Sequence, residues 1–159
     1  MKKYLISLML LAIIAGCKKE QTDYTETDHK IILDYIASHN LTTAQSTASG
    51  LYYVIEKPGS TAHPNIYSTV TVNYTGRLTN DTVFDTTTGS SAATFTLTDA
   101  STGYPNVITG WQIGIPLFGR LGKGKLLIPS ALGYGSTAQS GIPAHSVLIF
   151  DIELKDFIN

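Results

Sequence analysis

Val107-Ile-Thr-Gly-Trp111 contains the only tryptophan of the 159-residue chain and indicates more about its fold than any other stretch. Val107, Trp111 and Ile115 are four residues apart, and Phe118 follows three residues later, which is the spacing of one helical stripe. Gly114 and Pro116 interrupt the stripe, so the predicted helix is brief. Aromatic residues elsewhere in the chain are placed to close around the indole: Tyr74, Phe84, Phe95, Tyr134 and Phe150.

The segments on either side of this helix have the patterns of β-strands. The predicted strands are residues 51–56, 69–78, 93–97, 125–128 and 147–154. Residues 69–78 alternate, with Val70, Val72 and Tyr74 on one face. Residues 147–154 begin as a continuous apolar run, which predicts a central strand buried on both faces at its start. The prediction is an α+β fold, in which a curved antiparallel β-sheet wraps around one short α-helix.

The first residues of the chain have the features of an export signal. Lys2 and Lys3 precede residues 4–16, an apolar run too short to span a bilayer, which needs about 18 residues or more. This run ends at Cys17 and resembles a bacterial lipobox, in which the cysteine becomes the lipid-modified first residue. We expect residues 1–16 to be a lipoprotein signal peptide and Cys17 to attach the protein to a membrane. The alternative is an ordinary cleaved signal followed by an unmodified cysteine.

Residues 17–49 are predicted to be a lipidated tether followed by a short amphipathic helix. Residues 28–39 place apolar side chains at helical spacing, with Asp28 as the expected cap, and residues 42–50 read as a polar linker. The apolar stripe could pack on the domain or on a second copy of the chain, so the oligomeric state stays open. Lys18 stands where an aspartate retains some lipoproteins in the inner membrane, which favours the outer membrane of a bacterial cell envelope.

Composition and spacing argue against several other functions. The formal net charge is −1, and no basic stripe is interleaved with aromatic residues, so we expect no nucleic-acid partner. The four histidines lack metal-ligand spacing, and we expect neither a metal nor a cofactor. Residues 119–125 have P-loop spacing, but Leu126 follows where a hydroxyl is required, so a tight turn into a strand is predicted. Asp151 and Glu153 share a strand face and are interpreted as solvated or ion-paired.

From about Gly50 to its last residue, the chain resembles the FKBP-type peptidyl-prolyl cis-trans isomerases. The segments that carry the resemblance follow the family's order: Val72-Asn-Tyr74-Thr-Gly76, Val83-Phe84-Asp85, Val107-Ile108-Thr-Gly-Trp111, Gly133-Tyr134-Gly135 and residues 142–154. Residues 50–159 are therefore expected to form an FKBP-type isomerase domain.

The resemblance implies a pocket for a proline ring, with Trp111 as its floor. The implied walls are Tyr74, Phe84, Phe95, Val107, Ile108 and Phe150. The Ile108 N–H and the Tyr134 hydroxyl would donate to substrate carbonyls, and Asp85 would lie at the rim. Ile142 would contact the residue before proline, and Gln139 stands where the family often has a histidine. The implied catalytic residues are Tyr74, Phe84, Asp85, Trp111, Tyr134 and Phe150, and the implied substrate-binding residues are Phe95, Val107, Ile108, Gln139 and Ile142.

Rotation about an X–Pro bond suits a pocket of this composition. The barrier of about 18–20 kcal/mol is lost amide resonance, and no proton transfer or bond cleavage is needed. We therefore expect an isomerase that accelerates the folding of exported proteins with proline-containing segments as clients. The alternative is a non-catalytic lipoprotein, chaperone or docking module that grips such segments. A glycan-binding lipoprotein is a weaker alternative. The family also implies macrolide ligands, but Gln139 and the long segment 98–106 leave that affinity open.

Overall fold

A computed structural model describes residues 23–87, 92–98 and 107–159 of the chain. Within these ranges the helices are α1 (Thr25–Ser38) and α2 (Thr109–Gly114), with 3₁₀-helices at Ile115–Leu117 and Ser130–Leu132. The strands are β1 (Gln45–Ser46), β2 (Tyr52–Lys57), β3 (Thr69–Leu78), β4 (Val83–Thr86), β5 (Ala93–Thr96), β6 (Lys123–Ile128) and β7 (Leu148–Ile158). The predicted signal peptide, Cys17, the start of the tether and most of segment 98–106 lie outside the described residues.

The strands form a single antiparallel sheet in the order β1-β2-β6-β7-β3-β4, and β5 also pairs with β3. The longest pairing joins the two central strands, from Thr69 opposite Ile158 to Leu78 opposite Leu148. Leu148, Ile149 and Phe150 are all buried, so the apolar run at the start of β7 is covered on both faces of the sheet, as predicted. The expected α+β fold with an antiparallel sheet and a short helix is confirmed.

Helix α2 packs on one face of this sheet, which we call the inner face. Trp111, Ile115 and Phe118 are buried there, so the stripe read from the sequence faces the core. Gly110 permits the close approach, since a Cβ at that position would lie 2.5 Å from Cγ2 of Ile128 on β6. The 3₁₀-helix at Ile115–Leu117 ends the helical segment after two short turns, in agreement with the predicted brief helix.

Helix α1 packs on the opposite, outer face of the sheet. Ile32 and Tyr35 are buried against a second cluster formed by Leu127, Val147 and Ile149. Side chains alternate along a strand, so Ile149 faces α1 while its neighbour Phe150 faces α2. The apolar stripe of α1 therefore packs on the domain.

The start of α1 differs from the prediction. The helix begins at Thr25 rather than at Asp28, because the Asp23 carboxylate accepts hydrogen bonds from the N–H (2.9 Å) and the hydroxyl (2.6 Å) of Thr25. Asp28 was expected to cap the helix, and this was wrong. Asp28 lies inside the helix, is 1% exposed, and accepts hydrogen bonds from Ser130 instead.

The strands also differ from the prediction. Strand β4 was not predicted, and β6 begins at Lys123 rather than at residue 125. The expected linker 42–50 contains β1, whose two polar residues pair with Tyr52 and Tyr53 of β2. A pairing this short leaves no periodic pattern in the sequence, so it could not be read there. Strand β7 continues to Ile158 rather than stopping at residue 154, because a register shift opposite Thr71 and Val72 lets it pair with β3 again, with Phe157 opposite Val70.

The segment with P-loop spacing is a tight turn, as predicted. The Gly119 N–H donates to Pro58, the Gly122 N–H donates to Gly119, and β6 begins at Lys123 without a helix following. Within residues 23–87, 92–98 and 107–159, no helix combines the length and the hydropathy needed to cross a membrane.

Candidate active site

An aromatic cavity of about 140 Å³ opens on the inner face, beside the first residues of α2. Strands β3, β4, β5 and β7, helix α2 and the loop after β6 each contribute to its lining. The lining residues are Tyr74, Phe84, Asp85, Phe95, Val107, Ile108, Trp111, Tyr134 and Phe150. All of them were expected site residues, so none of the described residues of this lining was missed.

Trp111 forms the base of the cavity, and three rings stand nearly perpendicular to its indole. The ring centroids of Tyr74, Phe95 and Phe150 lie 5.1, 5.3 and 5.3 Å from the indole, at interplanar angles of 85°, 86° and 80°. Edge-to-face contacts of this kind are favourable between aromatic rings and hold each ring in one orientation. These four rings therefore form a rigid apolar cavity lining, which we call the aromatic box.

A glycine on β3 lets the ring of Phe84 pack against that of Phe150. Gly76 lies opposite Asp85 of β4 and opposite Phe150 of β7. A Cβ at position 76 would lie 2.6 Å from Cε2 of Phe84 and 2.8 Å from Cε1 of Phe150. Without that atom, the rings of Phe84 and Phe150 pack edge to face with their centroids 5.6 Å apart.

The polar groups of the cavity lie at its rim. The Tyr74 hydroxyl donates a 2.6 Å hydrogen bond to Oδ2 of Asp85. Burial, followed by this hydrogen bond, raises the pKa of Tyr74 well above its usual value of 10.0. Burial, followed by the negative charge of Asp85, also raises the pKa of Tyr134. Both phenols are therefore protonated at neutral pH, and the Tyr134 hydroxyl is a hydrogen-bond donor at the cavity mouth.

Ile108 enters the lining as the residue that precedes the first helical residue of α2. Its backbone is extended (φ −60°, ψ 151°), and its carbonyl accepts the amides of Trp111 (2.9 Å) and Gln112 (3.3 Å). The amide of a residue in this N-cap position lies outside the helical hydrogen-bond ladder, so it is oriented for an acceptor other than the helix. Its expected bond to a substrate carbonyl stays a prediction.

Gln139 and Ile142 lie in the same loop as Tyr134 but outside the cavity lining. Their backbones bond to each other, with N···O distances of 2.9 and 3.0 Å. Ile142 is 5% exposed and packs in the inner core, whereas Gln139 is exposed. The structure thus brings nine expected residues to one cavity and leaves these two beside it.

A larger cavity of about 500 Å³ lies on the outer face and differs in chemistry. Charged side chains line it, and they are paired: Asp151 with Arg77 and Lys125, and Glu153 with Lys123 and Lys155. The interpretation of Asp151 and Glu153 as ion-paired is confirmed. Among the described residues, no group of histidine, cysteine or carboxylate side chains could hold a metal ion.

Comparison with known proteins gives the same class of protein as the fold and the cavity. Residues 60–155 match the family FKBP_C, described as FKBP-type peptidyl-prolyl cis-trans isomerase. The matched residues are more than half of the chain. The chain is 42% identical over 111 residues to "FKBP-type peptidyl-prolyl cis-trans isomerase FkpA" of Aeromonas hydrophila, covering 69% of this chain and 39% of the relative. It is 36% identical over 113 residues to FkpA of Escherichia coli strain K12, covering 70% of this chain and 39% of the relative.

Two solved structures are similar throughout the fold. The crystal structure of FkpA from Escherichia coli aligns with a TM-score of 0.70 at 32% identity, over 84% of this chain and 62% of that chain. A peptidyl-prolyl cis-trans isomerase from Pseudomonas syringae aligns with a TM-score of 0.67 at 26% identity, over 87% of this chain and 98% of that chain. The chain belongs to the FKBP-type peptidyl-prolyl cis-trans isomerase family. It spans about two-fifths of the length of the FkpA relatives that it matches.

Proposed function

We propose that this protein is a peptidyl-prolyl cis-trans isomerase that accelerates the folding of exported, proline-containing polypeptides. The observation that carries the proposal is the aromatic box over Trp111, whose volume of about 140 Å³ suits a single small ring. Family membership supports the same activity. Proline is the residue whose preceding peptide bond isomerises slowly, over tens to hundreds of seconds, so a pocket for its ring has a clear biological use.

The pocket residues account for how rotation would become faster. A planar amide is more dipolar than the twisted transition state, so an apolar box disfavours the ground state relative to the twisted one. The Ile108 N–H and the Tyr134 hydroxyl would hold the carbonyls on either side of the rotating bond. Each tenfold in rate needs only about 1.4 kcal/mol, which shape, desolvation and these hydrogen bonds can supply without acid–base chemistry.

A protease-coupled assay with a chromogenic proline tetrapeptide tests this activity on the purified chain from Thr22 onward. We expect the cis-to-trans rate to rise in proportion to protein concentration. Tyr134→Phe tests the proposed donor and should lower the rate, whereas Tyr67→Phe removes an exposed hydroxyl that lies outside the cavity and should not. A wild-type rate equal to that of buffer would refute the proposal. Tight peptide binding without acceleration would favour the non-catalytic binding module.

We also propose that the mature protein is anchored through a lipid on Cys17, on the outer membrane of a bacterial cell envelope. The support is the apolar run that ends in small residues before the chain's only cysteine. Labelled palmitate should enter the wild-type protein and fail to enter Cys17→Ser, which should leave the membrane fraction. Retention of both label and membrane association in Cys17→Ser would contradict the anchor.

We propose that Gln139 adjusts substrate preference rather than the rate of rotation. It is exposed in the loop beside the cavity, and its polar side chain replaces the histidine that is common in the family. Gln139→His should change the ranking of kcat/KM among peptides that differ in the residue before proline. The same variant should also be compared with wild type for inhibition by macrolides. An unchanged ranking across the peptide series would contradict this role.

A further inference from the structure

Helix α1 lies outside the family match at residues 60–155, yet its ends contact the two segments that carry the cavity rim. We propose that α1 is a positioning element for the active site and that Asp28 is its principal positioning residue, acting on Tyr134. This proposal rests on the isomerase function proposed above. It assigns a role to a helix that precedes the residues matched by the family.

The first connection runs from Asp28 to the backbone around Tyr134. Oδ2 of Asp28 accepts hydrogen bonds from the backbone N–H (2.8 Å) and the hydroxyl (2.6 Å) of Ser130. The Ser130 carbonyl then accepts the N–H groups of Gly133 (3.0 Å) and Gly135 (2.9 Å), the neighbours of Tyr134 on either side. The Asp28 carboxyl group therefore holds Ser130 in place, and Ser130 in turn holds the two residues that flank Tyr134.

Burial makes this connection strong. Asp28 is 1% exposed and Ser130 is 2% exposed, so water does not compete for these hydrogen bonds. Leaving a buried hydrogen-bond partner unsatisfied is costly, so both bonds from Ser130 to Asp28 are strongly favoured. Ser130 consequently has one favoured position, and the start of the Tyr134 loop, residues 129–146, follows it.

A second contact from the same end of α1 reaches the same loop. The ring of Tyr24 stacks on His145 with centroids 3.8 Å apart and planes 12° from parallel. The His145 N–H donates a 2.7 Å hydrogen bond to the carbonyl of Gly135, the residue after Tyr134. The two arms of the loop are thus each attached to α1, and both attachments converge on Gly135.

The other end of α1 contacts the turn between β3 and β4. The Tyr35 hydroxyl donates to Oδ1 of Asp81 (3.1 Å), and Nε2 of His39 lies 3.3 Å from Oδ2. Asp81 lies two residues before β4, which carries Phe84 and Asp85 into the cavity. These contacts are more exposed than those of Asp28, so we assign them the smaller effect.

The test is a double-mutant cycle between Asp28 and Tyr134 on the purified protein, read by kcat/KM for a proline tetrapeptide. We expect Asp28→Ala to lower kcat/KM about five- to tenfold in the wild-type background and less than about twofold in the Tyr134→Phe background. Asp28→Asn keeps an oxygen acceptor for Ser130 and should restore activity to within about threefold of wild type. Asp34→Ala, which removes an exposed carboxylate from the same helix, is the matched control and should leave kcat/KM unchanged in both backgrounds.

A second measurement does not depend on activity. The backbone amide NMR signals of Gly133 and Gly135 should shift in Asp28→Ala and, less, in Ser130→Ala, and should stay in place in Asp34→Ala. Shifts at both glycines together with coupling in the cycle support the proposal. Unmoved glycine signals, or an Asp28→Ala effect of equal size in both backgrounds, overturn it. An inactive wild-type protein would refute the proposed function, and the glycine signals would still decide whether Asp28 positions Tyr134.

Discussion

The inner and outer faces of the sheet are both covered by a helix, but among the described residues only the inner face carries a cavity lined by aromatic rings, whereas the outer cavity is lined by paired charges. On the outer face, the aliphatic side chains of Ile32, Leu127 and Ile149 are fully buried in one cluster. On the inner face, three aromatic rings meet the Trp111 indole edge to face, and rigid rings held in this way do not collapse into the space between them. The comparison indicates that edge-to-face ring geometry, rather than apolar composition alone, keeps the inner cavity open.

The largest expected effect comes from opening two walls of the inner face. Tyr74→Ala combined with Phe84→Ala should lower kcat/KM about 100-fold, because water would enter the box and about 3 kcal/mol of transition-state stabilisation would be lost. The matched change on the outer face is Tyr52→Ala with Ile36→Ala, two residues partly buried against the outer cluster. That pair should leave the kcat/KM of the folded protein near wild type. Similar losses from both pairs would mean that the comparison of faces is wrong.

The next effect separates stability from activity at adjacent residues of β7. Ile149→Ala on the outer face and Phe150→Ala on the inner face should each lower the free energy of unfolding by about 2–5 kcal/mol, since both side chains are buried. Only Phe150→Ala should also lower kcat/KM, because only Phe150 lines the cavity. Urea titration measures the first quantity and the tetrapeptide assay the second. An activity loss in the folded fraction of Ile149→Ala would count against the assignment.

A smaller effect concerns one tyrosine on each face at alkaline pH. Burial, followed by the charge of Asp81, raises the pKa of Tyr35 to about 12, and the pKa of Tyr74 is also raised above 10.0. A raised folded pKa gives stability that is fully present below the unfolded pKa of 10.0 and is lost as pH rises through the folded value. Urea unfolding at neutral pH and between pH 10 and 12 should show this fall, and Tyr35→Phe and Tyr74→Phe should each reduce it. If stability fell as much in both variants as in the wild-type protein, these phenols would be excluded as the source of the fall.

The smallest effect is expected at the exposed surface of α1. Lys30 and Asp34 form an i,i+4 ion pair with side chains 77% and 67% exposed. Asp34→Ala should lower the free energy of unfolding by about 0.3–0.5 kcal/mol and leave kcat/KM unchanged. The loss should shrink further in high salt, and a loss insensitive to salt would contradict the ion-pair assignment.

The inner face could be predicted from the sequence because its signals are local. Strand β3 was predicted at its observed bounds, since the alternation from Thr69 to Leu78 persists over the whole strand. The helical spacing of Trp111, Ile115 and Phe118 placed their side chains on one buried stripe. Apart from Phe95, the ring residues lie in short motifs of a known order, so the resemblance could carry them to their positions in the cavity.

The outer face could be predicted only in part, because its contacts are long-range. The amphipathic stripe of α1 was visible, but nothing local to it specifies that its partner is Leu127 or Ile149. Asp28 illustrates the difficulty best: an aspartate near a helix start usually caps it, whereas here its partner Ser130 is 102 residues away. Strand β1 was missed for a related reason, since two polar residues have no period and pair only because β2 lies beside them.

Exchange NMR on a proline-containing peptide tests the central claim, that the box over Trp111 makes the prolyl bond easier to rotate. Substoichiometric protein should produce cis–trans exchange cross-peaks for the peptide, and the indole N–H signal of Trp111 should shift as peptide is added. Peptide-dependent shifts of Trp111 without exchange cross-peaks would contradict the account, because the cavity would then bind the proline ring without promoting rotation of the bond that precedes it.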